Sequence, residues 1–346
     1  MILSDEEKRS AGNAATAERG ALYLAGSAFV VGAKRLLAEE VDRAFHMPIG
    51  KLRKCAGLES LAYAAEGEDE VVLGARAAQQ SLGNASCAVQ EVDWIIATSE
   101  THHAYPSLAA RLHGQLLARE TCGALDVGGA CLGLLNGLAV AQALLSSGPA
   151  RTVLVVTADV HSRVLAAGRV AGEFGGLFGD GASAFLLRAA PPAGAQYAYR
   201  FGEFLFGCAS QYAGAIRVGE RGAPELEVHF DGEALSRAAI TRLEKVIVDL
   251  EARSGLTRSS LAGLATHQPN PRLVALLAKQ CGLPEQKFPQ VASRFGNLGS
   301  STTGVALQLL LELREPDRPN ERGGGAIFLA SLGPGLLYGG GWLVTE

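Results

Sequence analysis

The strongest constraint on the fold is an alternation of continuously apolar strands with helical stretches. Strands are predicted at residues 20–32, 92–99, 151–159 and 182–189. Between them, apolar residues recur at helical spacing over residues 68–82 and 107–118. Strands that are apolar along their whole length need cover on both faces. The pattern predicts an α/β protein with a largely parallel sheet between layers of helices.

A patch rich in Pro, Ala and Gly at residues 190–196 separates this order from a second, similar one. After it we expect strands near 200–207 and 225–230, a helix at 232–254, a strand at 261–267, helices at 271–281 and 300–314, and strands at 325–332 and 336–345. We therefore divide the chain into a loose N-terminal extension (1–19), an N-terminal half (20–190) and a C-terminal half (191–346).

Composition favours a compact enzyme and excludes several other classes of protein. Apolar residues make up 48% of the chain and charged residues 19%, which is too apolar for a disordered protein. Because Lys and Arg are scattered and the net charge is −4, nucleic acid is not an expected partner. Residues 1–19 lack signal-peptide form, and Gly or charged residues interrupt the apolar stretches well short of a membrane span. We expect a cytoplasmic protein without membrane contact.

The six cysteines show neither a C-x-x-C pair nor a ligand-like grouping with the seven histidines. This usage argues against a zinc site and against a disulfide framework. It favours a reducing compartment, and we expect no metal and no bound cofactor. Five of the six cysteines are interpreted as small apolar core residues.

Cys131 is the exception, because it stands where a turn opens an apolar helix. A short strand at Ala124–Val127 runs into Gly128 and Gly129, and the helix is predicted to begin at the cysteine. Backbone N–H groups at a helix N-terminus carry partial positive charge, so we expect the pKa of the thiol to be lowered. The same N–H groups can hold a developing oxyanion on an attacked thioester.

Two later residues supply partners for such a nucleophile. His267 ends a predicted strand in the run Thr266-His-Gln-Pro-Asn270, and Asn297 lies in a Gly/Ser-rich turn that opens a helix. Each residue alone has an ordinary interpretation, as a core histidine or a turn asparagine. Together, a Cys, a His and an Asn, each at a loop between strand and helix, are typical of thiol-based acyl transfer.

Five motifs, in order, resemble those of the 3-oxoacyl-acyl-carrier-protein synthase III (KAS III) group of the thiolase superfamily. They are Thr98–Ser107 (TSETHHAYPS), Phe178–Ala182 (FGDGA), His267–Asn270 (HQPN), Phe295–Asn297 (FGN) and Ser331–Gly335 (SLGPG). The resemblance covers residues 20–346 and implies the thiolase fold. In that fold, two similar βαβαβαββ halves form a five-layered αβαβα structure.

The resemblance also implies a reaction, a decarboxylating Claisen condensation that yields a 3-oxoacyl thioester. Cys131 would carry the acyl group, and the N–H groups of Cys131 and Gly335 would form the oxyanion hole. His267 and Asn297 would hydrogen-bond the thioester carbonyl of a malonyl unit and stabilise the enolate left by loss of CO₂. Such an enzyme serves fatty-acid, polyketide or related secondary-metabolite synthesis.

The resemblance further implies substrate binding by Tyr105, Phe178, Asn270 and Arg272. Tyr105 stands where the family has a Phe that the partner subunit inserts into the acyl pocket, which implies a homodimer. Asn270 and Arg272 would lie near the phosphopantetheine entry, where Arg272 could contact an acidic acyl carrier protein (ACP). The implied substrates are acyl-CoA or acyl-ACP, with malonyl-ACP as the extender.

One departure from the family bears on the acyl donor. The family often has a tryptophan in the region matching residues 30–50, where it stacks on the adenine of coenzyme A, and this chain has none there. Arg43, Lys51, Arg53 and Lys54 could bind phosphates, although a charged surface is the simpler explanation. An acyl-ACP donor is therefore a reasonable substitute for acyl-CoA.

Two alternative reactions stay open. An acyltransferase of the same fold would pass the acyl group from Cys131 to an alcohol or amine, but such enzymes tend to replace the asparagine that Asn297 matches. A head-to-head acyl-CoA condensing enzyme resembles the chain around Cys131 but carries a Glu directly before the matching proline. Here Tyr105 occupies that position, and Glu100, further upstream, is expected to be misplaced for the same role.

Overall fold

The computed structural model of the chain describes residues 21–193, 198–219, 228–313 and 325–345. The expected N-terminal extension at 1–19 lies outside the described residues. So do residues 225–227 of one predicted strand and residue 314 of one predicted helix.

The strands and helices follow the predicted order. The strands are β1 Leu22–Val31, β2 Lys34–Leu37, β3 Ser60–Tyr63, β4 Trp94–Thr98, β5 Gly123–Asp126, β6 Thr152–Val160, β7 Asp180–Arg188, β8 Tyr199–Phe201, β9 Leu205–Cys208, β10 Ile216–Val218, β11 Val228–Phe230, β12 Gly263–Thr266, β13 Ile327–Gly333 and β14 Leu337–Thr345. The α-helices are α1 Ala38–Ala44, α2 Lys51–Ala56, α3 Glu70–Asn84, α4 Leu108–Leu116, α5 Gly133–Ser147, α6 His161–Val164, α7 Gly172–Gly175, α8 Gly232–Ser254, α9 Pro271–Cys281, α10 Ala292–Phe295 and α11 Thr302–Glu312. The strand predicted near 200–207 is two strands, β8 and β9.

One sheet runs through both halves of the described chain, in the order β12-β13-β14-β8-β1-β7-β6-β4-β5, with β9 paired to β14. The pairs β4–β5, β4–β6 and β12–β13 are parallel. The pairs β6–β7, β1–β7 and β13–β14 are antiparallel. The expectation of a largely parallel sheet was therefore wrong, and the sheet is mixed. A continuously apolar strand indicates that both of its faces are buried, which is usual for parallel strands. Here layers of helices bury both faces of the antiparallel strands as well, so the apolar pattern did not reveal the strand direction.

Successive residues of each strand face two different cores, because side chains alternate between the faces of a sheet. In the N-terminal half, Ile96 and Val155 belong to an inner core with α5 and α11, whereas Ile95 and Leu154 pack with the outer helices α3 and α4. This alternation places one layer of helices on each face of the N-terminal strands.

The C-terminal strands repeat this arrangement. On β13, Ile327 and Leu329 join the inner core, and Phe328 and Ala330 join an outer core with α8 and α9. The layers are therefore α3 with α4, N-terminal strands, α5 with α11, C-terminal strands, and α8 with α9. The five-layered αβαβα arrangement expected from the resemblance is present.

Helix α5 lies in the central layer, and its burial explains its apolar composition. The stretch Ala130–Ser147 is long and apolar enough to cross a membrane by length and composition alone. The expectation that every apolar stretch falls well short of a span was therefore wrong for this helix. Leu134, Leu135 and Leu138 are fully buried in the core shared by both halves. A helix enclosed in this way is a core helix.

The proposed boundary between the halves, at residues 190 and 191, falls in the connection from β7 to β8. Strand β1 pairs with both β7 and β8, so the sheet is continuous across this point. As a domain boundary, the division at 190 stays a prediction.

Candidate active site

Loops that follow strands of both halves open onto one cavity of about 1060 Å³. Cys131, His267 and Asn297 all line it. They come from the turn after β5, the end of β12 and the loop after α10. The structure therefore brings together the three residues predicted to act together, although their individual roles stay predictions.

Close packing fixes the turn that carries Cys131. The cysteine lies in the 3₁₀ turn Ala130–Leu132, directly before α5. Gly129 adopts a φ of 134°, and a Cβ there would lie 2.2 Å from Asn136 Nδ2, so the turn needs a glycine. Ser331 Oγ on β13 donates a hydrogen bond of 2.7 Å to the carbonyl oxygen of Cys131. The backbone of Cys131 is thus held by contacts from both halves of the chain.

The electrostatic environment of Cys131 differs from the expectation. Burial, together with the carboxylates of Glu100 and Asp159, raises the pKa of the thiol well above its usual value. The prediction that the helix N-terminus lowers this pKa was therefore wrong, because desolvation and nearby negative charge outweigh the partial positive charge of α5. The thiol is protonated at neutral pH, so its attack on a thioester needs a proton acceptor.

His267 is a neutral imidazole in this environment. It follows β12, is 8% exposed, and its backbone N–H donates to the carbonyl oxygen of Ala330 at 3.3 Å. Burial, only partly opposed by the charge of Glu100, lowers the pKa of His267 to about 4. A neutral imidazole carries one N–H, so His267 can donate a hydrogen bond without carrying charge.

The side-chain amide of Asn297 is oriented by its own turn. Its Oδ1 accepts from the N–H of Gly299 at 3.0 Å and from Thr302 Oγ1 at 3.4 Å. Its backbone N–H donates to the carbonyl oxygen of Leu177 at 2.8 Å. Because the amide oxygen is occupied, the Nδ2 group is the part of the side chain left to donate to a ligand in the cavity.

Gln268, which the sequence analysis left without a role, couples His267 to the segment that carries Asn297. Its Nε2 donates to the carbonyl oxygen of Pro289 at 2.7 Å, and its Oε1 accepts from two backbone N–H groups at the start of α10, at 3.1 and 3.2 Å. The side chain is 1% exposed, so these bonds replace every contact with water. Gln268, the residue after His267, thus holds the segment that leads into the Asn297 turn.

Two further ionisable residues lie in the cavity beside Cys131. Glu100 and His161 both line it, and Glu100 Oε2 is 3.5 Å from His161 Nε2. Glu100 and Cys131 line the same cavity, and the negative charge of Glu100 contributes to the raised pKa of the thiol. Glu100 therefore shares the cavity with Cys131, and the expectation that it is misplaced for the role of the glutamate in head-to-head condensing enzymes stays a prediction.

Asp159 at the end of β6 fixes Glu100 in this position. Its carboxylate accepts from the Glu100 N–H at 2.6 Å, Ser99 Oγ at 3.1 Å, and the N–H and Oγ of Ser300 at 2.9 and 2.6 Å. The network ties the loop after β4 to the loop after Asn297. Glu100, Asp159 and His161 are also residue types that bind metals, and their ligand atoms lie within 4.8 Å of one another. The four donors already occupy the oxygens of Asp159, so we interpret the group as a hydrogen-bond network.

The charges of Glu100 and His161 support one another. Burial acts to raise the pKa of Glu100, but the neighbouring charge of His161 outweighs burial and lowers this pKa. Burial acts to lower the pKa of His161, but Glu100, Asp159 and Asp180 raise it to about 9. At neutral pH the site therefore holds a buried carboxylate beside an imidazolium.

The glycine loop after β13 approaches the nucleophile through Gly333 rather than Gly335. Gly333 and Pro334 line the cavity, and a Cβ at Gly333 would lie 2.8 Å from the carbonyl oxygen of Gly129. Gly335 has a φ of 78° and is not among the lining residues, and its carbonyl oxygen accepts from the Cys208 thiol at 3.8 Å. The oxyanion hole expected from the N–H groups of Cys131 and Gly335 stays a prediction.

The four residues expected to bind substrate lie in different places. Phe178 and Asn270 line the cavity, and Asn270 also caps the N-terminus of α9 through its side chain. Arg272 does not line the cavity, and its guanidinium donates to the carbonyl oxygen of Lys54 in α2. Tyr105 is 90% exposed and does not line the cavity of its own chain. Of the four residues, Phe178 and Asn270 are therefore the two placed to contact a ligand inside the cavity of their own chain.

Much of the remaining wall is apolar. Its apolar residues include Leu165, Phe174, Leu177, Leu243, Leu332 and Leu336. Pockets that enclose small organic ligands range from about 300 to 1,000 Å³, so this cavity lies at the upper end. The size and the apolar wall suit a ligand with an extended hydrocarbon part beside a small polar reacting centre.

Comparisons with known proteins agree with this arrangement. A family model described as 3-oxoacyl-[acyl-carrier-protein (ACP)] synthase III matches residues 125–207, and the C-terminal model of the same family matches residues 251–344. A beta-ketoacyl-[acyl-carrier-protein] synthase III of Haemophilus ducreyi is 31% identical over 291 residues, which cover 83% of this chain and 87% of the relative. The protein of the same name from Granulibacter bethesdensis is also 31% identical, over 294 residues, with 83% and 88% covered.

Solved structures share the architecture at lower identity. A variant of OleA from Xanthomonas campestris superposes with a TM-score of 0.83 and 20% identity, covering 94% of this chain and 99% of its own. FabH from Pseudomonas aeruginosa superposes with a TM-score of 0.80 and 23% identity, covering 94% and 98%. These likenesses confirm the thiolase fold.

Proposed function

We infer the function from the premise that this chain belongs to the 3-oxoacyl-[acyl-carrier-protein] synthase III family of condensing and acyl-transferring enzymes. We propose that it catalyses a decarboxylating Claisen condensation, in which an acyl group on Cys131 is joined to malonyl-ACP to give a 3-oxoacyl thioester. One observation carries the proposal: Cys131, a neutral His267 and the oriented amide of Asn297 share one largely apolar cavity.

The first half-reaction loads the enzyme. The sulfur of Cys131 attacks the thioester carbonyl of the acyl donor, a new S–C bond forms, and the bond to the donor thiol breaks. The apolar wall of the cavity accommodates the acyl chain during this step. Backbone N–H groups at the start of α5 are the candidates for holding the oxyanion, an effect of about 10²–10³ in rate per donor.

The second half-reaction joins the two units. His267 and the Nδ2 group of Asn297 donate hydrogen bonds to the thioester carbonyl oxygen of the malonyl group. Loss of CO₂ supplies the electron pair of the enolate, which the two donors stabilise. The enolate attacks the acyl carbon, a C–C bond forms, the bond from that carbon to the Cys131 sulfur breaks, and the released thiolate takes up a proton from solvent. No base is needed for this step, and a buried histidine with a pKa of about 4 beside an amide offers two neutral donors.

The carboxylate of Glu100 favours acyl transfer to an alcohol or amine as a second candidate. That reaction needs a base to take the proton of the acceptor. Glu100 is ionised, lines the cavity, and its Oε1 is buried without a hydrogen-bond partner among the described residues. The donor amide of Asn297 has no use in this alternative, so condensation stays the main proposal.

The proposed substrates are acyl-ACP or acyl-CoA and malonyl-ACP, and the reaction uses no metal and no bound cofactor. The names of the relatives specify an acyl-carrier-protein synthase, which supports ACP as the protein partner. We propose a homodimer in which the exposed Tyr105 of one subunit enters the cavity of the other. The proposed setting is the cytoplasm, in fatty-acid, polyketide or related secondary-metabolite synthesis.

Intact-mass analysis tests the proposal. The protein is incubated with a panel of acyl-CoA and acyl-ACP donors of increasing chain length, and malonyl-ACP or a set of alcohols and amines is then added. We expect an acyl adduct that is absent from Cys131→Ala and that malonyl-ACP discharges. An adduct that alcohols or amines discharge and malonyl-ACP does not would support the acyltransferase. An adduct that persists in Cys131→Ala would contradict both.

A further inference from the structure

The proposed half-reactions leave the proton of the Cys131 thiol without an acceptor. Glu100 is placed to take it. Glu100 lines the same cavity as Cys131, and its Oε2 lies 3.5 Å from His161 Nε2. Its negative charge contributes to the raised pKa of the Cys131 thiol. Its Oε1 is buried and has no hydrogen-bond partner among the described residues. A buried oxygen of this kind is available to a proton or a ligand.

A thiolate at Cys131 and a carboxylate at Glu100 would place two negative charges in contact in a buried site. Like charges at such a distance favour the state in which one of the two groups is neutral, and the pair then titrates as a unit. Asp159 adds a further carboxylate close by. The pair Cys131 and Glu100 therefore holds one proton, which lies either on the sulfur or on the carboxylate.

We propose that Glu100 is a catalytic residue of acyl loading, which takes the thiol proton as Cys131 attacks the donor and returns it to the leaving thiolate. This inference rests on the proposed function. A bond forms between the Cys131 sulfur and the acyl carbon, the bond to the donor sulfur breaks, and the electron pair leaves on that sulfur. The proton moves from Cys131 to Glu100 and then to the departing thiolate. The charge of the enzyme is the same before and after loading.

His161 is the positioning residue for this transfer. Its Nδ1 donates to the carbonyl oxygen of Gly179 at 3.3 Å, and its ring packs on Phe178 with the centroids 4.6 Å apart, so its Nε2 is held toward Glu100. The titratable groups that face it are Glu100, Asp159, Asp180 and the neutral His267. The His161 imidazolium stays charged during the transfer, while the negative charge moves from the Glu100 carboxylate to the Cys131 sulfur. The number of charged groups in the site therefore stays the same.

His267 is the weaker acceptor on charge grounds. Proton transfer from Cys131 to His267 would create a thiolate and an imidazolium where two neutral groups stood, while Glu100 keeps its charge beside the thiolate. Burial already opposes the charged form of His267. Transfer to Glu100 keeps a single negative charge in the pair.

Glu100→Gln separates this role from a structural one. The amide has nearly the same size but accepts no proton. We expect the rate of Cys131 acylation from an acyl thioester, followed by rapid quench and intact mass, to fall about 100-fold or more. Alkylation of Cys131 by iodoacetamide at about pH 7 should become faster, because loss of the negative charge lowers the pKa of the thiol. Acylation that is unchanged or faster in the variant would overturn the proposal.

Two controls keep the result decisive. Glu91→Gln makes the same exchange on an exposed residue that is not among those lining the cavity, and it should leave both rates unchanged.

If Glu100→Gln does not fold, as judged by circular dichroism, the pH dependence of Cys131 alkylation in the wild type provides the test. The proposal requires a midpoint for Cys131 above 9, and a midpoint below about 8 contradicts it. Failure of the wild type to load from any donor counts against the proposed function, whereas loading that tolerates Glu100→Gln counts against this inference alone.

Discussion

Ser331 Oγ donates a 2.7 Å hydrogen bond to the carbonyl oxygen of Cys131, which ties the proposed nucleophile of the N-terminal half to β13 of the C-terminal half. The turn that carries Cys131 is therefore positioned by residues far away in the sequence. The position of the Cys131 sulfur therefore depends on the packing of both halves. Removal of the Ser331 hydroxyl group tests this dependence.

Ser331→Ala should weaken both folding and acyl loading. Loss of the bond leaves a partly buried carbonyl without its donor, at a cost of about 1 kcal/mol in the free energy of unfolding. Displacement of the sulfur should slow acylation about 10-fold, since a shift of about 1 Å can cost up to 10² in rate. Ser146→Ala is the matched control, because Ser146 Oγ bonds only within α5, to the carbonyl oxygen of Gln142. Acylation at the wild-type rate in Ser331→Ala would show that the bond does not position the nucleophile.

Asn297→Ala should separate the two half-reactions. The variant removes a donor to the malonyl thioester oxygen, so release of CO₂ from malonyl-ACP should fall about 10²–10³-fold. Acyl loading of Cys131 should change little, because the amide of Asn297 is not used in that step. The measurement is ¹⁴CO₂ release beside intact mass of the acyl-enzyme. Decarboxylation that survives in Asn297→Ala would mean that the asparagine has another role.

We expect the free energy of unfolding to fall at alkaline pH, because His161 loses the proton that its neighbours, Glu100 among them, stabilise. The folded pKa of His161 is about 9 and its unfolded value is 6.5, so the folded state binds this proton more tightly. The stabilisation is complete below about pH 6.5 and is lost as the pH rises toward 9, by an amount on the order of 1–3 kcal/mol. Urea unfolding between these pH values measures it.

The control for this prediction is His113→Asn, which replaces a half-buried histidine on α4 that bonds the carbonyl oxygen of Arg119, and the alkaline loss of stability should persist in this variant. A free energy of unfolding that stays constant from about pH 6.5 to about pH 9 would contradict the charged pair.

Tyr105 should affect the choice of acyl donor rather than the chemistry. It is 90% exposed in one chain, so an effect on the cavity requires a second copy. In the proposed homodimer, Tyr105→Ala should enlarge the partner's cavity and shift the loading ratio of long to short acyl donors by about 10-fold. Tyr105→Phe keeps the ring and should match the wild type. Donor ratios that are identical in Tyr105→Ala, or a monomer by light scattering, would refute this arrangement.

The α/β class, with helices on both faces of the sheet, could be predicted because the strands are continuously apolar and the helices carry apolar residues at regular spacing. The five-layered arrangement was implied only by the resemblance of the motifs to the thiolase superfamily. Helix α8 was predicted with the bounds that the structure has, Gly232–Ser254. The hairpin of β2 and β3 was missed, because Lys34–Leu37 carries an exposed, charged pattern without apolar alternation. Strand direction was also misjudged, since burial on both faces does not distinguish parallel from antiparallel pairs.

That Cys131, His267 and Asn297 lie together could be predicted because each stands in a local motif at a loop between strand and helix, whereas their roles stay predictions. The position of Glu100 and His161 beside them could not be predicted, although Glu100 stands within a motif that the sequence analysis singled out. The position of Glu100 depends on Asp159, which accepts hydrogen bonds from two loops that are far apart in the sequence, and the spacing of residues in the sequence does not show this contact. The predicted direction of the Cys131 pKa shift was wrong for the same reason. The sequence shows that Cys131 stands at a helix N-terminus, but it does not show that the carboxylate of Glu100 faces the same cavity.

The most direct test follows the acyl group itself. Wild-type enzyme is loaded with a ¹³C-labelled acyl donor, freed of excess donor, and given unlabelled malonyl-ACP, and the ACP products are analysed by mass spectrometry. The proposed function predicts that the label leaves Cys131 and appears in 3-oxoacyl-ACP with release of one CO₂ per acyl group. Label that stays on the enzyme, or that appears only as free acid, would contradict a condensation carried by Cys131.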